Sequence, residues 1–215
     1  MNIFNFPLKN DKKRKYLLFD TETESLNLVN SRPWQVAYGL YSLEQGRIWA
    51  KERFIWWDDF KISAGAAAQT QFNHAEYKEK AEDKFVVWED FQKYLYCNDL
   101  NSMAHNGLGF DVYQINSWRL GMGLKSDYSF VPRLLDTNCI GKAYKFERTL
   151  DLKNIDKEMY RYTGEFKRGV KTSIKELAKD FGIKRDENMA HKSALYDVDQ
   201  MWAVFKELLQ RVKFT

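Results

Sequence analysis

The sequence is poor in the residues that hold small secreted or metal-stabilised folds together. Its 215 residues include two cysteines, Cys97 and Cys139, three histidines and three prolines. Two cysteines are too few for a disulfide framework. With three histidines and no Cys-x-x-Cys pair, a structural zinc site is not expected. The simplest expectation is therefore a reducing compartment and a cytoplasmic localisation.

Long apolar runs and a one-sided charge are also absent. No run approaches the roughly 20 apolar residues that cross a bilayer, so no membrane partner is expected. The N-terminal charges follow apolar residues, which is the reverse of a secretory signal. Basic residues number 34 and acidic ones 30, and residues 1–15 account for the whole excess of +4. This balance excludes a chain-wide cationic binder, so an acidic partner has to meet a local patch.

The residues that are present have the composition of one globular domain. Hydrophobic residues make up 44% and charged residues 30% of the chain, which argues against wholesale disorder. We expect a basic lead-in over residues 1–15 and a single domain over 16–215. Residues 143–171 are expected to form a charged helical insertion within that domain.

Apolar patterning predicts strands first and alternating helices and strands afterwards. The predicted strands are 16–19, 34–41, 47–55, 103–104 and 133–136. The predicted helices are 75–95 with a break near Asp83, 110–120, 171–181 and 194–212, and residues 63–71 are predicted to form a loop. This order predicts an α/β fold whose mixed central sheet has antiparallel first strands and helices on its faces.

Two carboxylates follow the first apolar strand. Asp20 and Glu22 are two residues apart, so in an extended chain both side chains point to the same side. Adjacent carboxylates repel each other unless a cation lies between them. Hard oxygen ligands of this kind suit Mg²⁺ or Mn²⁺. The pair alone is more often explained by exposed acids at a strand end.

Two further acidic clusters occur later in the chain. Asp111 opens a helix after the glycine turn of Ala104-His-Asn-Gly-Leu-Gly-Phe-Asp111, and His191 precedes Asp197 at the start of the last helix. Acids are favoured at helix starts, and a histidine near neutral pKa can take a proton from water. Taken singly, a helix cap, a loop histidine and an exposed helix acid are the better explanations.

Together and in this order, the three clusters resemble the motifs of the DEDD exonucleases of the DnaQ-like superfamily. The resemblance is to the histidine branch, with exonuclease X-like, proofreading-subunit-like and ribonuclease T-like enzymes. Phe19-Asp-Thr-Glu-Thr23 is similar to the first motif, residues 104–111 to the second and residues 191–197 to the third. The likeness runs from about Tyr16 to the last helix and implies a ribonuclease H-like fold.

The resemblance implies a reaction and its residues. Asp20, Glu22, Asp111 and Asp197 would hold two divalent ions, Mg²⁺ or Mn²⁺, and His191 would accept a proton from water. The implied activity is 3′–5′ hydrolysis at the 3′ end of DNA, with single-stranded DNA favoured over RNA and 5′-mononucleotides released. An RNA-trimming exoribonuclease would share these residues. The alternative is a catalytically weak 3′-end-binding subunit with a polymerase or other replication or repair partner.

The resemblance also implies substrate contacts in the same cleft. By analogy, Thr21 and Thr23 would contact the terminal nucleotides through their backbone, Leu26 would wedge between them, and Asn106 and Phe110 would line the cleft. For Leu26 and Phe110, packing in the core is an equally good interpretation. The sequence does not specify an oligomeric state.

One spacing departs from the family pattern. Five residues separate His191 from Asp197, whereas family members usually have four. Either the extra residue bulges out and leaves the histidine in reach, or it displaces the base.

Basic residues outside the motifs suggest two further contacts. Residues 142–171 hold nine basic and five acidic residues. Aromatic residues are interleaved among them: Tyr144, Phe146, Tyr160, Tyr162 and Phe166. This pattern is typical of a single-strand platform, and equally of an amphipathic helix with a solvated face. The cluster over residues 12–15 is either a solubilising tail or a distal duplex contact.

Overall fold

The computed structural model describes residues 11–186, 189 and 193–215. Within these residues six strands form one mixed sheet: β1 (Tyr16–Thr23), β2 (Pro33–Ser42), β3 (Gly46–Trp56), β4 (Ala81–Asp83), β5 (Asn101–Ala104) and β6 (Leu134–Asp136). The strand order is β4-β3-β2-β1-β5-β6. The β1, β2 and β3 strands are antiparallel, whereas β5 pairs parallel to β1 and β6 parallel to β5. The predicted mixed sheet with antiparallel first strands is confirmed.

Eight α-helices accompany the sheet in the described part of the chain. They are α1 (Ala64–Thr70), α2 (His74–Lys80), α3 (Lys84–Leu95), α4 (Asp111–Gly121), α5 (Thr137–Lys145), α6 (Ile155–Gly164), α7 (Ile174–Asp180) and α8 (Ala194–Arg211). None of them is long and apolar enough to cross a membrane.

The alternation of side chains along β1 builds two apolar layers. Tyr16 and Phe19 are three residues apart and therefore face opposite sides of the sheet. Phe19 packs against Phe91 of α3, with ring centroids 5.8 Å apart. Tyr16 packs against Trp202 and Phe205 of α8 at 5.9 and 5.6 Å. The sheet is thus sandwiched between α3 and α8, and both interfaces are buried.

A smaller apolar cluster anchors α1 and α2 beside the main core. Trp34, Phe54 and Tyr77 are buried together, with Phe72 packed edge-on against Trp34 at 4.9 Å. The Tyr77 hydroxyl donates to the carbonyl of Ile55 at 2.8 Å. The amide of Ser63, the residue that caps α1, donates to the carbonyl of Glu24 at 2.8 Å, so α1 begins beside the end of β1 at which the carboxylates lie.

The prediction of a loop over residues 63–71 is wrong, because α1 lies there. Three consecutive alanines, the best helix formers, lie at positions 66–68. The Ser63 side chain caps the helix by accepting from the amide of Ala66 at 3.2 Å. Because the residues of this segment are small or polar, it has no apolar periodicity from which the short helix could be predicted.

The break predicted near Asp83 is a short strand. Within the predicted 75–95 helix, residues 81–83 pair with β3, with Ala81 opposite Phe54. Asp83 then starts α3 by accepting from the amides of Phe85 and Val86 at 2.8 and 3.3 Å. The C-terminal helix begins at Ala194 as predicted, and the helix predicted from residue 171 begins at Ile174.

The core position of Phe91 gives a stability prediction. Phe91 is fully buried, whereas Phe85 on the same helix is 45% exposed. Phe91→Ala should lower the free energy of unfolding by about 3–5 kcal/mol. Phe85→Ala should change it by about 0.5 kcal/mol or less. Urea unfolding measures both, and equal losses in the two variants would contradict this packing.

Candidate active site

Two of the predicted ligands lie on β1 where one edge of the strand is left open. Asp20 and Glu22 pair with β2, opposite Ala37 and Gln35, so they lie within the strand and not after it. On the other edge, pairing with β5 stops at Leu18. Among the residues that the structure describes, the edge of β1 beside the two carboxylates therefore has no neighbouring strand, and a cleft lies there.

The first turn of α8 brings the third carboxylate to this edge. Carboxylate oxygens of Asp20, Glu22 and Asp197 all lie within 4.8 Å of one another. Ser193 caps the helix, and its hydroxyl donates to Glu52 of β3 at 2.9 Å. The amide of Leu195 donates to the same Glu52 oxygen at 3.1 Å. Glu52 therefore fixes the helix start that positions Asp197, and no sequence motif indicated that role.

The fourth carboxylate begins α4 and is held from β1. The hydroxyl of Thr21 donates to Asp111 Oδ1 at 2.7 Å. Both side chains are almost fully buried. Asp111 lies outside the group of three that share the 4.8 Å limit, but it is close enough to act on the charges of Asp20 and Glu22. All four predicted carboxylates thus meet at one place.

Asp136 shapes the glycine turn that leads to Asp111. Its carboxylate accepts from the amides of Asn106 and Leu108 at 2.9 and 3.0 Å, while it caps α5. Gly107 allows the turn, because a Cβ there would lie 2.6 Å from the Cβ of Ala104. The sequence placed Asp136 at the end of a predicted strand, and the structure gives it this further structural role.

The cleft is a cavity of 330 Å³ that gathers most of the predicted site. Its lining includes seven of the predicted residues: Asp20, Thr21, Glu22, Asn106, Phe110, Asp111 and Asp197. Thr23 and Leu26 line an adjoining cavity of 410 Å³, which shares Thr21, Glu22 and Phe110 with the cleft. Leu26 is 81% exposed and is not a core residue. His191 lies outside the described residues.

Burial and mutual repulsion make these carboxylates hard to ionise. Burial raises the pKa of Asp20 well above its usual range, and the charges of Asp111, Glu22 and Asp197 raise it further. Burial, followed by the charges of Asp197, Asp111 and Glu52, raises the pKa of Glu22 to about 8. Burial likewise raises the pKa of Asp111 to about 7. A site of this kind favours bound cations, which lower the cost of ionisation.

Two basic side chains reach the cleft without any sequence signal. Arg185 Nη2 donates to Asp197 Oδ1 at 2.9 Å, and both side chains are close to fully buried. Lys175, near the start of α7, lines the same cavity. Arg185 therefore already supplies one positive charge to a metal-ligand candidate.

His105 is a further cleft residue that was not predicted. Its Nδ1 lies 2.9 Å from the hydroxyl of Thr137. Burial lowers the pKa of His105 to about 4, so its imidazole is neutral at neutral pH.

The aromatic residues of 142–171 do not form the five-ring platform that the pattern suggested. Tyr162 is fully buried, and Tyr144 and Phe146 pack against the core. Tyr160 and Phe166 are 58% and 87% exposed. The contribution of α6 here is mainly an apolar face, because Ile155, Met159 and Tyr162 are its buried residues.

The donor set fits divalent metal ions. Carboxylates are the hard ligands that Mg²⁺ and Mn²⁺ prefer, and three of them offer oxygens within 4.8 Å. Four carboxylates face the cleft against the two bases Lys175 and Arg185. This excess of negative charge is what one or two divalent ions would neutralise.

The fold is the ribonuclease H-like fold that the motif resemblance implied. Solved structures of E. coli exonuclease I match it: the complex with a dT13 oligonucleotide has a TM-score of 0.71 at 18% identity. That match covers 93% of this chain and 42% of the other. A zinc-bound E. coli complex with single-stranded DNA gives a TM-score of 0.71 at 18% identity, over 92% of this chain and 40% of that chain.

A product-bound structure of exonuclease I agrees with these two. It has a TM-score of 0.70 at 19% identity and covers 92% of this chain and 43% of that chain. The chain thus spans about two fifths of the exonuclease I chains it matches. No protein-family model and no curated protein sequence matches the chain.

The raised pKa of Glu22 predicts a pH-dependent stability of the metal-free protein. Its folded pKa of about 8 lies above the ordinary value of 4.5, so the folded state keeps a proton that the unfolded state releases. Stability should therefore fall as the pH rises from about 4.5 to about 8. In EDTA, Glu22→Gln should raise the Tm at pH 9, where it removes the destabilising charge of the ionised carboxylate. Each kcal/mol gained in the free energy of unfolding corresponds to roughly 2–4 °C in Tm, and at pH 4 the Tm should be nearly unchanged.

A matched exposed carboxylate controls this measurement. Glu89 is exposed on α3, and Glu89→Gln removes the same charge. Thermal unfolding across the pH range should give Glu89→Gln the wild-type profile. The assignment is wrong if Glu22→Gln and Glu89→Gln behave alike.

Proposed function

We propose that this chain is a metal-dependent 3′–5′ exonuclease that hydrolyses the terminal phosphodiester of single-stranded DNA and releases 5′-mononucleotides. The observation that carries this proposal is the convergence of Asp20, Glu22 and Asp197 within 4.8 Å, with Asp111 beside them. Such a cluster of buried acids, on a fold shared with exonuclease I, is suited to phosphodiester chemistry.

The two adjoining cavities suit different parts of a nucleotide. The cleft holds the carboxylates and the bases Lys175 and Arg185. The adjoining cavity is lined mainly by neutral side chains from β1, the segment after it and α1. We assign the scissile phosphate to the cleft and the terminal sugar and base to the neutral cavity. Leu26 and Phe110 line that cavity and would contact a base there.

The four carboxylates would hold two divalent ions, Mg²⁺ or Mn²⁺. Bound ions would neutralise the phosphate charge and activate water. Thr21 would keep Asp111 in place through its 2.7 Å hydrogen bond, and Glu52 would hold the start of α8. His191 is proposed to accept the proton of the attacking water. Water adds to phosphorus as the P–O3′ bond breaks, leaving a 5′-phosphate on the released nucleotide and a new 3′-hydroxyl on the strand.

The activity is tested with 5′-labelled single-stranded DNA, matched RNA and a 3′-recessed duplex, each with Mg²⁺, Mn²⁺ or EDTA. We expect a metal-dependent ladder that shortens from the 3′ end, with single-stranded DNA cut fastest. Asp20→Asn and Asp197→Asn should slow cleavage by more than about 100-fold, since even partners of metal ligands cost 10- to 100-fold. Glu89→Gln should cleave like the wild type.

Other outcomes of this assay identify other functions. Faster digestion of RNA would make the chain a 3′–5′ exoribonuclease. Binding of 3′ ends without digestion would make it a binding subunit, with a polymerase or other replication or repair protein as its partner. Digestion in EDTA, or internal cleavage, would overturn the proposal. His191→Ala should lower kcat more than it raises KM if this histidine is the base.

The ion pair of Arg185 gives a prediction for metal affinity. Its guanidinium shares the Asp197 carboxylate that a metal ion would need. Arg185→Ala should therefore tighten Mn²⁺ binding by about three- to tenfold, whereas Arg185→Lys keeps the charge and should bind Mn²⁺ much as the wild type does. Isothermal titration calorimetry of metal-free protein measures this. Weaker binding by Arg185→Ala would mean that the arginine orients Asp197 for the metal instead.

A further inference from the structure

A large basic cavity lies at the opposite end of β1 from the cleft. It encloses 730 Å³ and shares no lining residue with the cleft or the adjoining cavity. We call it the basic pocket and define it by its five cationic residues: Lys13, Arg14, Lys15, Lys93 and Arg133. Tyr16 and Asp20 are four residues apart on β1, so about 13 Å of strand separates the pocket from the cleft.

The charge of the basic pocket is not balanced by its own acids. Asp11 and Asp99 are the acidic residues in its lining, against five bases. Asp11 lies 3.5 Å from Arg14. Lys13, Lys15 and Lys93 are exposed, and none of them forms an ion pair within the described residues. Like charges gathered in this way repel one another, and an anion would relieve that repulsion.

The basic pocket contains a buried cation, Arg133, in addition to its exposed lysines. Its side chain lines the cavity, yet the residue is only 7% exposed. Two of its nitrogens donate to Asn98 Oδ1 at 2.6 Å and to the carbonyl of Leu95 at 3.1 Å. Its Nε has no hydrogen-bond partner, and no carboxylate of the described residues pairs with it. A buried cation without a counter-ion is costly.

We propose that the basic pocket binds a phosphate group. A guanidinium fork together with several ammonium groups is the donor set that recognises phosphate, whose oxygens accept several charge-assisted hydrogen bonds at once. The phosphate comes either from a nucleic acid strand or from a free phosphate or phosphate monoester. At a stacked spacing of roughly 3.4 Å per nucleotide, a strand whose 3′ end lies in the cleft would span 13 Å with about four nucleotides.

The first test uses inorganic phosphate with the metal-free protein in EDTA, so that no metal ion holds phosphate in the cleft. Calorimetry should show saturable one-to-one binding that chloride at the same ionic strength does not reproduce, and phosphate should raise the Tm. The double variant Lys15→Ala/Lys93→Ala should bind phosphate about fivefold more weakly or worse. Lys78→Ala/Lys206→Ala removes two exposed lysines elsewhere and should bind as the wild type does.

Arg133→Met tests whether the buried guanidinium contributes to phosphate binding. If Arg133→Met does not fold, the double variant Lys15→Ala/Lys93→Ala still tests the proposal. The proposal is overturned if the wild type shows no phosphate binding beyond the chloride effect. It is equally overturned if Lys15→Ala/Lys93→Ala (the pocket variant) and Lys78→Ala/Lys206→Ala (the control variant) bind phosphate equally well.

The second test separates the two sources of phosphate by strand length. Fluorescence anisotropy in EDTA compares dT3, which is too short to reach both sites, with dT20. Weaker binding of dT20 but not of dT3 by the pocket variant assigns the pocket to the strand. If the pocket variant loses phosphate binding but binds dT20 like the wild type, the basic pocket is assigned to free phosphate or a phosphate monoester. The variant should still cleave dT3 in Mg²⁺, so failure of the pocket proposal is distinguishable from failure of the proposed nuclease activity.

Discussion

Mutual repulsion among buried carboxylates is the constraint on which the rest of this structure depends. Asp20 and Glu22 are brought side by side by the alternation of β1, and α8 and α4 add Asp197 and Asp111. The raised pKa values of Asp20, Glu22 and Asp111 show that the fold tolerates this arrangement more readily when protons are bound. The apolar layers against α3 and α8 offset the free-energy cost of this arrangement, because their close packing holds the sheet and the starts of the helices in place.

Neighbouring polar groups hold Asp111 and Asp197 where repulsion would otherwise move them. Thr21 donates to Asp111, Glu52 accepts from the start of α8, and Asp136 fixes the turn before α4. Each of these groups lies on a strand of the central sheet. A cation-binding site built from flexible acids would instead relax apart, so the sheet is what keeps it ready to bind.

The two ends of β1 therefore differ in charge. The end at Asp20 and Glu22 gathers negative charge, whereas the segment before Tyr16 gathers positive charge with Arg133. A chain whose overall net charge is only +4 thus carries one strongly acidic and one strongly basic cavity. Such separation is invisible in the composition, yet it determines where cations and anions would bind.

The sequence by itself determined most elements, because period-two and helical patterns are local features. It also placed Asp20 and Glu22 side by side, whereas Asp111 and Asp197 joined them only through the resemblance of the motifs. It missed α1, whose alanine run has no periodicity, the start of α5 directly after β6, and the strand β4 inside a helical pattern. Only the tertiary structure decided the supports of the site. Thr21 and Asp111 are 90 residues apart, and Glu52 and Ser193 are 141 residues apart. No local pattern can express such contacts, since they exist only once the sheet and α8 have packed together.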